Sequence, residues 1–188
     1  MTTRTKQDEK DCLFFCTITC CDWLPLFKLT DFYNEIYKWF DLLVKKDCII
    51  HGYVIMPNHL HLLIYIPEAG KNLNTLISNG KRFMAYEIVK RLKNKGYFEI
   101  LEKLSSKVTE FERKKGQLHK AFQSSFDAKP CYSEEFIIQK LDYIHHNSVN
   151  GKWSVVDDFT EYPHSSAKFY ELDEEGIYKV IHFKEFTG

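Results

Sequence analysis

The chain has 188 residues, with 26 Lys/Arg balanced by 26 Asp/Glu for a formal net charge of zero. At 44% apolar and 15% aromatic it is excluded from the disordered class, and a single domain spanning residues 1–188 with a substantial core is expected. No run approaches the roughly 18 apolar residues of a membrane span, and the polar start MTTRTKQDEK is no signal peptide, so a cytosolic location away from membranes is expected.

In chain order, residues 1–11 are polar and read as frayed, and Cys12–Thr19 (CLFFCTIT) reads as the first strand. Thr30 or Asp31 is placed to cap a helix whose apolar positions Phe32, Ile36, Trp39/Phe40 and Leu43 recur at three and four. Cys48–Met56 and His59–Ile66 then form two apolar strands around a Pro57-Asn58 turn, an expected antiparallel hairpin. A second helix is predicted from Asn72–Asn74 to about Lys93, with an irregularity at Gly80. Beyond it comes a basic helical excursion over about residues 94–120, with Ile100, Leu101, Leu104, Val108 and Phe111 at helical spacing. Phe122–Phe126 reads as an edge strand ended by Pro130. Ser133 caps a last helix, with Glu134 and Glu135 on its first turn, running to about Asn147. The resulting order β-α-β-β-α-β-α predicts an α+β, ferredoxin-like antiparallel sheet with helices on one face. The tail offers one readable stretch, Tyr162-Pro163-His164-Ser165-Ser166.

The six cysteines are read as free, buried thiols, because no CxxC knuckle accompanies them. Charge is unevenly distributed. Residues 71–120 hold 13 Lys/Arg against 5 Asp/Glu, an excess of +8, and the rest of the chain carries the opposite −8. Such a stretch is either a solvated helical surface or a polyanion-binding face, and in the latter case Lys81, Arg82, Lys90 and Arg91 are the expected contacts.

Two constellations carry chemistry. In PNHLHLL, His59 and His61 stand two apart on an extended strand and therefore share a face, either as satisfied partly buried imidazoles or as a bidentate divalent-metal site. On the last helix the apolar stripe is Ile137, Leu141 and Ile144, while Gln139, Tyr143 and Asn147 form a separate i, i+4, i+8 row. Tyr143 is open to two readings, an interfacial tyrosine or a nucleophile. The second requires an electrophile such as a metal-bound phosphodiester, since a phenol of pKa about 10 is a weak nucleophile on its own.

PNHLHLLIYIP, the downstream QKLDYIHHNSVNGKW and then EYPHSSAKFYE together resemble the IS200-like single-tyrosine (HUH) transposases, in particular their REP-associated branch. The resemblance covers roughly Phe14 to Tyr170, with residues 94–120 the least familiar. It departs where Asn147 is followed by Ser148 rather than proline. It implies a ferredoxin-like, metal-dependent enzyme that cleaves and joins single-stranded or hairpin DNA through a 5′-phosphotyrosine. Tyr143 would be the nucleophile, and His59, His61 and Asn147 would hold Mg²⁺ or Mn²⁺. A homodimer is compatible with that family. The alternatives are a non-catalytic single-strand binder and a phosphodiesterase that uses water.

Overall fold

The structure is a computed structural model describing residues 9–185. The polar start expected to fray falls mostly on residues 1–8, outside the described residues. Four strands form one antiparallel sheet: β1 (Cys12–Thr19), β2 (Ile49–Ile55), β3 (His59–Ile66) and β4 (Asp127–Pro130), ordered β2-β3-β1-β4. This is the expected ferredoxin-like arrangement, an α+β fold with seven α-helices among the described residues.

Strand β3 shows why the sheet has two distinct faces. Alternate side chains point opposite ways, so Leu60, Leu62, Ile64 and Ile66 join Phe14, Cys16 and Ile18 of β1 in the main core. Onto that face pack helices α2 (Tyr33–Val44) and α3 (Leu73–Asn94), through Ile36, Phe40 and Leu43 and through Ile77, Met84, Ile88 and Leu92. The alternate set faces the other way, where Phe15, Val54 and Leu63 receive Leu141 and Ile144 of α6 (Glu134–His145). The sequence placed all helices on one face, but α6 crosses the opposite one. An apolar stripe specifies that a helix packs, and says nothing about which side of a sheet receives it.

Several boundaries moved for local reasons. A short α1 (Leu26–Thr30) precedes α2, and Thr30 turns its hydroxyl back onto the Leu26 carbonyl instead of capping the next helix. Asn72 caps α3 by accepting from the Thr75 amide. The helix passes through Gly80 unbroken, and the missing side chain makes room for the indole of Trp39, whose nitrogen would lie 2.5 Å from a Cβ there. The excursion folds as α4 (Phe98–Ser106) and α5 (Glu110–Lys114), with Leu101 and Leu104 buried against the main core. The edge strand expected at Phe122–Phe126 lies at Asp127–Pro130, where β1 imposes the pairing Phe14↔Pro130 to Thr17↔Asp127. Phe122 makes only an isolated bridge to Cys20. The six cysteines are free and buried, as expected.

The Tyr162–Ser166 stretch is a strap along the outer edge of β2. The Ile55 amide donates to the His164 carbonyl, the Ser166 amide donates to the Tyr53 carbonyl, and the Tyr162 hydroxyl donates to the Ile55 carbonyl. Helix α7 (Ala167–Leu172) follows the strap. Among the described residues no helix is long and apolar enough to cross a membrane.

Candidate active site

The site forms where the start of β3 meets the end of α6. Pro57 and Asn58 turn the chain into β3, so His59 and His61 project together from the face that α6 covers, and both are buried (4% and 3% exposed). Helix α6 is held in place from below. Ser133 caps it through the Phe136 amide, Leu141 and Ile144 enter the lesser core, and His145 meets the Ser166 hydroxyl at 3.1 Å. Gly52 lets the helix approach β2, since a Cβ there would fall 2.6 Å from Leu141 Cδ2.

With that side of α6 anchored, Tyr143 and Asn147 lie on its flank. After His145 the chain tightens into a 3₁₀ turn, His146–Ser148, which Ser148 secures by donating its hydroxyl to the His145 carbonyl. Asn147 is thereby brought between the two imidazoles. Its Oδ1 is 2.8 Å from His59 Nε2, and its Nδ2 is 3.3 Å from His61 Nε2. The ring centroid of Tyr143 lies 5.1 Å from that of His61 and 5.8 Å from that of Phe15, edge-on to both, and the residue is half exposed.

The far nitrogens of both rings are also held. His59 Nδ1 is 2.7 Å from Asn58 Oδ1, and His61 Nδ1 is 2.9 Å from the Thr17 hydroxyl. Asn58 Oδ1 can only accept, so the His59 proton resides on Nδ1 and its Nε2 presents a lone pair. The Thr17 hydroxyl can accept from His61 in the same sense. Burial keeps both rings neutral, pushing His59 down to about 4 although Asn147 Oδ1 beside it favours the protonated ring. Burial also holds His61 well below its ordinary value, helped by its neighbours His59 and Lys140.

Two imidazole lone pairs and one amide oxygen thus converge, with outer hydrogen bonds fixing the orientation of each ring. With the amide oriented as it stands, His59 Nε2 and Asn147 Oδ1 face each other at 2.8 Å as two acceptors, a pairing that a cation relieves. The donor set therefore fits a divalent ion. Among the described residues no cluster of three His, Cys, Asp or Glu could hold a metal.

Of the residues named from sequence, His59, His61, Tyr143 and Asn147 come together. The four basic residues do not act alike. Lys81 is largely enclosed and donates to the carbonyls of Gln123 (2.6 Å), Ser124 (3.5 Å) and Ser125 (3.3 Å), clamping that loop. Burial, with the like charge of Lys120, pushes it down to about 8. Arg91 is engaged with Glu35, Glu87 and the Thr30 and Asp31 carbonyls, tying α3 to α1 and α2. Lys90 and Arg82 stay at the surface, Lys90 beside Glu87 at 3.4 Å and Arg82 over the Phe83 ring. Both line a groove of about 860 Å³ between α3 and residues 112–124, together with Lys93, Lys115 and Tyr86.

Sequence reasoning missed Thr17, Phe15 and Lys140. Phe15 stacks on His61 at 5.4 Å, and the Lys140 ammonium lies 5.2 Å from the Phe15 ring centre and 5.9 Å from that of Tyr143. Lys140 was recoverable, three positions before Tyr143 on one helix face. Thr17 reaches His61 only through the β1–β3 register, which no local pattern encodes.

No protein-family model matches the chain, and no characterised protein matches it by sequence. Among solved structures, the REP-associated tyrosine transposase bound to a REP hairpin aligns with a TM-score of 0.59 at 16% identity, covering 100% of this chain and 96% of the other. A candidate transposase from Deinococcus radiodurans aligns over 74% of this chain and 92% of the other, with a TM-score of 0.41 at 13% identity. Over its described residues the chain has the fold of the REP-associated tyrosine transposase.

Proposed function

We propose that this protein is a metal-dependent, single-tyrosine DNA strand transferase that acts on single-stranded or hairpin DNA. The observation that carries the reading is the meeting of Tyr143 and Asn147 with His59 and His61, which lie more than 80 residues apart in sequence. The like-folded transposase bound to a REP hairpin supports DNA as the substrate.

His59, His61 and Asn147 would hold Mg²⁺ or Mn²⁺, which when bound withdraws charge from a phosphate oxygen. Tyr143 supplies the nucleophile. Its oxygen forms a bond to phosphorus as the P–O3′ bond breaks, leaving a 5′-phosphotyrosine and a 3′-hydroxyl to which the phenolic proton is passed. Holding the tyrosine ring against His61 restricts its approach to one side of the phosphate. Attack on the phosphotyrosine by a different 3′-hydroxyl reverses the step and joins strands with no external energy source. The α3 groove would carry the DNA backbone through Arg82, Lys90, Lys93 and Lys115, with Lys81 shaping its wall and Arg91 bracing α3 from outside it.

The test is incubation with end-labelled hairpin DNA and Mn²⁺, followed by a denaturing gel. A covalent protein–DNA adduct is expected from the native chain and none from Tyr143→Phe, which removes only the oxygen. Cutting by the Phe variant at a comparable rate would establish water as the nucleophile and make the protein a phosphodiesterase.

A further inference from the structure

Trp23 stands where its sequence neighbourhood gives it no reason to be. Six non-glycine residues have positive φ among the described residues, and five are aspartates, whose short polar side chain tolerates that region. The sixth is Trp23, at φ 56° directly after Asp22 at 52°. A bulky side chain in the left-handed region is strained, and such strain persists only where the surroundings enforce it. Here they do. The Trp23 amide donates to the Cys20 carbonyl, and the Cys20 amide donates to the Asn58 carbonyl. The Trp23 carbonyl accepts from Asn58 Nδ2 at 3.3 Å, and the Asp22 carboxylate is tied to Lys107 at 2.8 Å.

The strain gains no burial. Trp23 is 45% exposed, whereas Trp39 is 8% exposed in the core. Its indole stands edge-on to His59 with ring centroids 5.5 Å apart, across the donor set from Phe15 and Tyr143. Asn58 holds both the Trp23 carbonyl and His59 Nδ1, so one side chain ties the Trp23 backbone to the imidazole.

We propose that Trp23 is a stacking platform for one unpaired nucleobase beside the phosphate that occupies the His59–His61 site. The inference rests on the reading of that site as a nucleic-acid site and adds a base-binding element to it. An exposed indole on a fixed backbone presents an aromatic face to any base, while a paired base inside a duplex cannot reach it. The platform therefore selects for an unpaired nucleotide at the cleavage point without selecting its identity.

The test is titration of intrinsic tryptophan emission in metal-free buffer, where no cleavage competes. The probes are a short oligothymidylate and an abasic strand of the same length and charge. The oligothymidylate is expected to quench part of the emission, and Trp23→Ala to remove that part. The same variant should lose about 5- to 150-fold in affinity for the oligothymidylate, the equivalent of about 1–3 kcal/mol of base–aromatic stacking, and keep its affinity for the abasic strand. Trp23→Phe should retain an intermediate affinity. Equal affinity of the native chain for both strands overturns the platform. A loss in Trp23→Ala that is the same for both strands also overturns it, making the indole a prop for His59. Failure to bind either strand overturns the platform and the nucleic-acid reading together. The covalent-adduct assay judges the cleavage chemistry separately, because quenching needs no Tyr143 oxygen.

Discussion

The two faces of the sheet share the same strands and do different work. On the face beneath α2 and α3, β3 contributes Leu60, Leu62, Ile64 and Ile66, all fully buried among aliphatic and aromatic neighbours. On the other face it contributes His59, His61 and Leu63, covered by a single helix whose flank leaves Tyr143 half exposed. The larger core lies on the first face and the proposed chemistry on the second. A rigid, close-packed floor can orient two buried imidazoles more finely than a loop could.

The difference between the faces can be broken deliberately. The largest effect is expected at His61→Ala, which takes a nitrogen from the donor set. Metal-dependent strand cleavage should fall to background while the folded chain persists in circular dichroism. Cleavage at the native rate would remove His61 from the site. Leu62→Ala, the next residue on the opposite face, should do the reverse. It should cost about 2–5 kcal/mol in denaturant unfolding and leave the activity of the folded fraction intact.

A smaller effect should follow Gly52→Ala, whose added carbon meets Leu141 Cδ2. Overpacking of this kind costs about 1–3 kcal/mol. Because the displaced element is α6, activity should fall further than stability does, as read from unfolding and cleavage of the same preparation. The smallest effect is one of pH. Burial lowers His51 and His164 below their ordinary value, so the unfolded chain takes up protons first as the solution is acidified. Their contribution is complete above about pH 6.5 and is lost as pH falls below it. A melting temperature that stayed flat from pH 7 to pH 5 would contradict that sign.

What the sequence revealed was what is local. The alternation of His59-Leu60-His61 and the Pro57-Asn58 turn specified the hairpin and the shared face of the imidazoles. Ser133, Glu134 and Glu135 specified where α6 begins, and the offset of Tyr143 from the stripe specified its partial exposure. What could not be read depends on residues distant in the chain. Thr17 meets His61 across a strand pair, Lys81 serves a loop more than 40 positions away, and DAKP becomes β4 only because β1 offers it an edge. Trp23 is the intermediate case. Its residue type is plain in the chain, but its left-handed backbone and the Asn58 link to His59 are not.

The strap at Tyr162–Ser166 bears on how copies of this chain could assemble. An uncovered edge strand offers its amides and carbonyls to any other chain. On the outer edge of β2 those groups are already taken by His164 and Ser166, and further along by the Ile181 amide, which donates to the Ile50 carbonyl. The protein carries its own fifth strand in rudiment, and that side of the sheet is closed to growth. Two copies cannot fuse their sheets through β2 without first peeling the strap away. A pair that forms with the strap in place must meet elsewhere, through helices, loops or the four residues of β4.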